Sequence, residues 1–380
     1  MTGVRLGFFG RVLDAGTPAE RYAAALEQIQ HAERHGFASV WLAQHHFGEE
    51  GGGLPSPFVF LAAAAARTSR IGLGTAVLTL PIEDPLRAAE DAAVLDLLSA
   101  GRVQLGLASG GTPASFPAFG RDAGERHALF QDHLQVLLDA LDGRGVRGTG
   151  SRIYPPAPTL SARIWQGTFS VAGGARIGSR GDGLMLSRTQ PRPGTAPDAP
   201  LHELQLPIID AYREALPAGA PERVLASRTA LVVDPGDRAA ARALAEPALR
   251  RFARTIVGDA ADALDLDAVL RVTDTHLGTA DEVADGLAAD RTLDAATDVS
   301  FQVHSIPATH ALTLRSLELL ATEVAPRLGL ATGSAAADGL RDAHLGGAER
   351  ISTDRASTDP APADRIAADR TPTTARGGAS

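Results

Sequence analysis

Cysteine, lysine and asparagine are all missing from these 380 residues. Without cysteine there is no disulfide framework, thiolate nucleophile or sulfur metal ligand. Without lysine no Schiff base forms, which removes aldolase-type and pyridoxal-phosphate chemistry; all 36 basic residues are arginines. Long apolar runs are missing too: the longest, residues 57–66, is closed by Arg67 and is too short to cross a bilayer. No basic stripe stands out against the formal charge of -9, so neither nucleic acid nor membrane is an expected partner. The start, VRLGFF at 4–9, reads as a strand without the charged lead, apolar stretch and cleavage site of a secretory signal. A cytoplasmic location is therefore the expectation. No GxGxxG run follows a strand, so no dinucleotide site of that kind is expected.

What is present alternates strand and helix almost throughout, and 44% hydrophobic content is enough for a large core. Strands are expected at 4–9, 39–42, 71–77, 103–107, 163–166, 183–187, 225–233 and 298–303. Helices are expected at 17–35, 56–68, 85–98, 124–141 and 171–180, the first opened by a Thr17 cap and Pro18. Eight strands alternating with helices predict a closed parallel (β/α)8 TIM barrel over residues 1–330. Residues 331–380 hold no aromatic side chain, are rich in Ala, Gly, Pro, Thr and Asp, and repeat Asp-Arg at 354, 364 and 369. That composition predicts a disordered C-terminal tail.

In a parallel barrel the chemistry sits just past the strands' C-terminal ends. Those positions are Phe8 and Phe9, Gln44 to His46, Ala76 and Val77, Ser109 and Gly110, Gln166 to Thr168, Ser187 to Gln190, and His304. The set is mostly apolar and amide-like, which suits a flat aromatic cofactor better than a phosphosugar. His45 and His46 are adjacent on one strand and point to opposite faces, so they cannot share one metal ion; no metal is expected. Either they are a structural pair bonded to backbone carbonyls, or one imidazole exchanges protons with a reacting group. Glu90 and Asp91 fall on the helix away from the mouth and read as ion-pairing or interface residues. Thr168, Ser170 and the Gly173-Gly174 pair open a helix whose N-terminal amides make an anion site, or the glycines serve packing.

The stretch FASVWLAQHHF at 37–47, GTAV at 74–77, DPLRAAEDAAVLDLLSAGR at 84–102 and AFG at 118–120 stand in the order of the bacterial luciferase-like flavin monooxygenases, and over about ninety residues the chain resembles that family. The segment IWQGTFSVAGGARIGSRGDGLML at 164–186 resembles the element that meets the flavin phosphate there. The resemblance implies reduced FMN as cofactor, used with O₂ to oxygenate a small organic substrate. His45 then matches the catalytic histidine beside the flavin. Ala76, Val77, Ser109, Gln166, Gly167, Thr168, Ser170, Gly173 and Gly174 match cofactor-binding positions, with a cis peptide between Ala76 and Val77. Two positions depart from the pattern: Gln44 stands where a Glu is common and Ser109 where some relatives carry an arginine, leaving Arg176, Arg188 or Arg192 to compensate the phosphate. A separate flavin reductase and a homodimer formed through the helices after strands two and three are further implications. Two alternatives use the same barrel: hydride transfer with the deazaflavin F420, or a flavin-binding protein without turnover.

Overall fold

The computed structural model describes residues 3–48, 52–196, 199–304 and 306–333. In chain order the elements are β1 (Arg5–Gly10), α1 (Pro18–Arg34), β2 (Ser39–Leu42), α2 (Pro57–Ala65), β3 (Gly72–Thr75), β4 (Leu78–Thr79), α3 (Pro85–Leu98), β5 (Val103–Ala108), α4 (Arg126–Leu141), β6 (Ile164–Gly167), α5 (Val171–Arg180) and β7 (Gly183–Leu186). The chain goes on through α6 (Leu201–Ala215), β8 (Val224–Val232), α7 (Arg238–Val257), α8 (Leu266–Val272), β9 (Thr275–Gly278), α9 (Ala280–Ala288), α10 (Arg291–Ala295), β10 (Asp298–Gln302) and α11 (His310–Leu319). The strands pair in the order β1, β2, β3, β5, β6, β7, β8, β10, and β10 returns to β1, every pair parallel. That is the closed eight-stranded barrel the alternation predicts.

Both faces of these strands are covered, which is why they read as nearly unbroken apolar runs. Leu6, Val40, Leu73, Leu105, Ile164 and Leu184 belong to the core under the helices. Trp41 and Trp165 form a separate inner cluster with Met185 and Leu225. The two indoles meet edge to face at 5.4 Å, an arrangement favoured by the ring quadrupoles. Each indole N–H is satisfied, Trp41 donating to Ser39 Oγ and Trp165 to Gln104 Oε1, both at 2.9 Å. Room for the rings comes from Gly74 and Gly183, where a Cβ would lie 2.3 Å from Trp41 and from Trp165 respectively. Nearer the N-terminal ends, Arg5 spans the β1–β10 seam and donates from Nε and Nη2 to both Asp298 oxygens (2.8 and 2.6 Å).

Helix starts follow the expected signals. Thr17 and Glu20 make a capping box on α1, and Asp84 accepts from Leu86 and Arg87 at the start of α3, each helix carrying Pro in its first turn. Two strands lie beyond the expected set. The two-residue β4 pairs with the end of β5, and β9 pairs with Thr229–Val232 of β8, so that β8 serves β10 and β7 at its start and β9 at its end. The barrel's packing continues slightly past the expected boundary at 330: Ala331 bridges to Arg5, and Gly333 N donates to Gly36 O. The rest of the expected tail, 334–380, lies outside the described residues. Among the described residues no helix is long and apolar enough to cross a membrane.

Candidate active site

At the C-terminal ends of the strands the floor of the mouth is apolar. Phe9, Ala76 and Val77 pack onto the cluster of the two tryptophans, Met185 and Leu225. The Ala76–Val77 peptide is cis, at the position the resemblance implies. Just before it β3 presses close on β5: Thr75 Oγ1 donates to Gly106 O (2.7 Å), and a Cβ at Gly106 would stand 1.9 Å from Thr75 O.

One wall of the mouth is polar and under-bonded. In register, Ser227 of β8 pairs with Ser300 of β10 and Thr229 with Gln302. The pleat carries all four to the inner face that Leu225 occupies. The hydroxyls of Ser227, Thr229 and Ser300 and Nε2 of Gln302 are buried and have no hydrogen-bond partner among the described residues. Buried polar atoms are rarely left so, and a row of them marks a place where water or a ligand's polar edge belongs.

Above this wall stands a charged rim. Arg188, just past β7, donates from Nε to Gln302 Oε1 at 2.5 Å and lays its guanidinium over Phe252, 5.7 Å from the ring centroid. Burial, with Arg11 nearby, pushes Arg188 down to about 10, which still leaves it charged at neutral pH. Arg11 N donates to His304 Nδ1 (3.4 Å), and His304 Nε2 stands 3.2 Å from Asp14 Oδ2, off the line of a good hydrogen bond. Burial alone would raise the Asp14 carboxyl, but His304, Gln28 and the charge at His310 outweigh it and hold it below its usual range.

His45 lies three residues past the end of β2 and lines a pocket with Gln44, His46, Thr79, Ile82 and Phe116. Its amide donates to Leu54 O at 3.0 Å. Burial first, then Arg11 and His46, push the imidazole down to about 4, so it is neutral at physiological pH. The preceding Gln44 is a brace: Oε1 accepts from Thr79 N (2.7 Å) while Nε2 donates to Glu83 Oε1 (2.6 Å) and Pro55 O (3.3 Å). Burial raises Glu83. A carboxylate is thus still present beside this strand end, delivered from the approach to α3 and bound to the amide of Gln44. His46 lines the same pocket as His45, its Nε2 buried without a partner among the described residues, and stacks edge-on against Phe119 at 4.8 Å.

The start of α5 is built as expected in part. Ser170 caps the helix by accepting from Gly173 N (3.1 Å), and Thr168 Oγ1 accepts from Ser170 N (3.3 Å). A Cβ at Gly173 would stand 2.0 Å from Thr168 Oγ1, so this turn needs glycine. Gly167 ends β6 beside Ala108 and Val77, and Ser109 sits half-buried past β5. Two expectations need correcting. Gln166 does not face the mouth: Trp165 is the inward residue of β6, and Gln166 points out to donate to Asp182 Oδ2 (2.7 Å). Gly174 is a packing residue, because its amide is taken by Ser170 O and a Cβ would lie 2.5 Å from Ile208 O of α6. The helix's unclaimed amides are those of Val171 and Ala172.

Of the three arginines expected to balance a phosphate, Arg192 is held by Asp274 (2.8 and 2.7 Å), Arg188 reaches Gln302, and Arg176 lies exposed on α5. Glu90 and Asp91 pair with Arg87 on the outer face of α3, as their place on that helix predicts. The mouth residues missed in the sequence are Arg11, Asp14 and Gln302. For Gln302 the signal was available in the pleat, since it is the last inward position of β10. Away from the mouth, His31, His35 and Glu318 bring ligand-type atoms within 4.8 Å of one another. Arg34 Nη2 lies 3.3 Å from His31 Nδ1 there.

Residues 6–300 match the family described as luciferase-like monooxygenase. Among curated relatives the chain is similar to the y4vJ protein of Sinorhizobium fredii, 33% identical over 171 residues (43% of this chain, 48% of that protein). It is also similar to limonene 1,2-monooxygenase of Rhodococcus erythropolis, 36% identical over 179 residues (40% and 45%). The chain thus spans about half the length of these curated relatives. Among solved structures it resembles monooxygenase RslO1 of Streptomyces bottropensis, with TM-score 0.69 and 25% identity over 85% of this chain and 99% of that one. At 19% and 18% identity it shares the fold of the oxygenating constituent of 3,6-diketocamphane monooxygenase of Pseudomonas putida, solved with FMN, and of an F420-dependent secondary alcohol dehydrogenase. Both have TM-score 0.65 over 86% of this chain and 99% of theirs.

Proposed function

The chain belongs to the luciferase-like monooxygenase family, and from that premise we propose that it is an FMN-dependent monooxygenase that uses reduced flavin and O₂ to oxygenate a small organic substrate. The observation that carries the reading is the contrast inside the mouth: an apolar floor at Phe9, Ala76 and Val77 opposite a row of buried, unpartnered polar groups on β8 and β10. A planar ring with one amide-like edge fits that contrast, and a phosphosugar or a metal ion does not. Ala76 and Val77 would support the ring. The phosphate would sit at the start of α5, near Gly167 and Ser109, held by Thr168, Ser170, the Gly173 turn and the amides of Val171 and Ala172. Reduced FMN supplies the electrons that activate oxygen.

The chain's own residues exclude water and handle the proton. The tryptophan pair and the apolar floor keep the inner mouth dry, which strengthens every polar contact made there. His45, neutral and beside a permanently charged arginine, is a proton acceptor at a ring nitrogen at any pH above about 5. Its titration therefore should not appear in a rate profile between about pH 5 and pH 8, and the limb it causes should lie near pH 4. The same depression acts on stability. Above the ordinary value of 6.5 neither state binds the proton; below it the unfolded chain does and the folded one does not, so stability should fall progressively down to about pH 4. His45→Gln should flatten that fall in a series of urea midpoints.

A separate reductase would deliver the reduced flavin. A homodimer is supported by Val59 of α2 and Val94, Leu97 and Leu98 of α3, apolar side chains left exposed on neighbouring helices; sedimentation reports it. The activity is tested by anaerobic titration with reduced FMN and with F420, followed by turnover with a reductase, NADH, ¹⁸O₂ and a panel of aldehydes and ketones. Labelled oxygen in the product supports the reading. Tight F420 binding with hydride transfer would replace it, as would flavin binding without product.

A further inference from the structure

Among the described residues Arg188 makes no ion pair. Its Nε is taken by Gln302 Oε1, one face is covered by Phe252, and among the described residues its terminal nitrogens have no acceptor. The carboxylate that bears on it, Asp274, is already held by Arg192 through two contacts. Arg11, a like charge, is its other charged neighbour. Because Oε1 of Gln302 faces Arg188, the amide's Nε2 is turned the other way, buried and unpartnered, with unpartnered Thr229 Oγ1 on the paired residue of the next strand. An unpaired cation therefore stands over a wall that carries two unsatisfied polar groups.

That spot is not where the flavin phosphate is proposed to sit. Gln190, two residues after Arg188, turns toward the start of α5 and donates to Phe169 O (3.0 Å). Arg188 turns the opposite way, past β8 to β10, and lies near Arg11 at the end of β1. The anion this side of the barrel lacks is a second one. We infer that the substrate sharing the mouth with the cofactor carries a carboxylate, gripped by the terminal nitrogens of Arg188. This rests on the proposed monooxygenase reading and names its substrate class as organic acids. A guanidinium fork matches a carboxylate's two oxygens, and a buried partner of this kind discriminates against a neutral analogue of the same shape.

Octanoate and octanamide are suitable probes, since they differ in charge and little in size. The chain's two tryptophans, Trp41 and Trp165, both lie beneath the mouth and report occupancy by fluorescence. Octanoate should bind tighter than octanamide by roughly 10- to 100-fold, with and without FMN. Arg188→Gln should abolish the preference while leaving octanamide binding unchanged, and Arg188→Lys should retain part of it. FMN and riboflavin affinities should be the same in Arg188→Gln as in the parent. Equal binding of the two probes, a preference that survives Arg188→Gln, or loss of FMN but not riboflavin binding in that variant would each overturn the inference, the last by returning Arg188 to the phosphate. Should the protein bind no flavin at all, the octanoate preference is still measured on the protein alone, so the two failures are told apart.

Discussion

His45→Ala lowers oxygenated product formation by roughly 10²- to 10⁴-fold while FMN affinity stays at the parent value. The size is that of a positioned acid-base group, and the separation from binding follows from where the imidazole is. It stands past the end of β2 beside Arg11, desolvated and neutral, and the expected ring supports are on other strands. His46→Ala should cost less, because that ring is held edge-on by Phe119. Rates measured with reduced flavin supplied in excess isolate the step from reductase supply. Parent-like turnover in His45→Ala would make the imidazole scaffolding and move the proton chemistry to water or to the His304–Asp14 pair.

Asp298→Ala destabilises the fold by about 3–5 kcal/mol, read as a lower urea midpoint. The carboxylate accepts two contacts from Arg5 and one from Thr297 Oγ1 (2.8 Å), and Asp298 is only 1% exposed. It also lies where β10 joins both β1 and β8, so the pair sits on the seam that closes the barrel. Removing it leaves a guanidinium in a dry interior without a partner, which costs far more than the pair contributes when intact. The double variant Arg5→Met with Asp298→Leu should recover most of the loss, since two apolar side chains of similar volume need no counter-charge. A shift under about 1 kcal/mol in the single variant would mean that water reaches the barrel floor.

The barrel was legible in the sequence because parallel strands covered on both sides leave short apolar runs between glycines, prolines and caps. β2 and α5 fall on their expected bounds, and Pro85–Leu98 is helical as its Asp84-Pro85 start predicts. β9 was not legible: Thr275–Gly278 carries one leucine among small and polar residues and borrows its stability from the end of β8. At the site, position along the strand misled where the pleat would have guided. Gln166 was assigned to the mouth for standing at a strand end, yet its neighbour Trp165 fills the interior and fixes Gln166 outside. Gln302 was passed over because it falls inside the run 298–303, although an inward residue at that height already belongs to the rim. Arg11 lies past the end of its strand, where no apolar pattern marks which way a side chain will turn.

The two indoles packed edge to face across the barrel, with the Arg5–Asp298 pair beneath them, seal its lower half. A molecule seated on the floor at Ala76 and Val77 thus has no back exit. Whatever settles there first is covered by whatever arrives second, and the later arrival has to depart before the earlier one can be renewed. Such a vessel with a single doorway lets the lower ligand out only after the upper one, so an excess of the upper ligand should slow each cycle by trapping the lower.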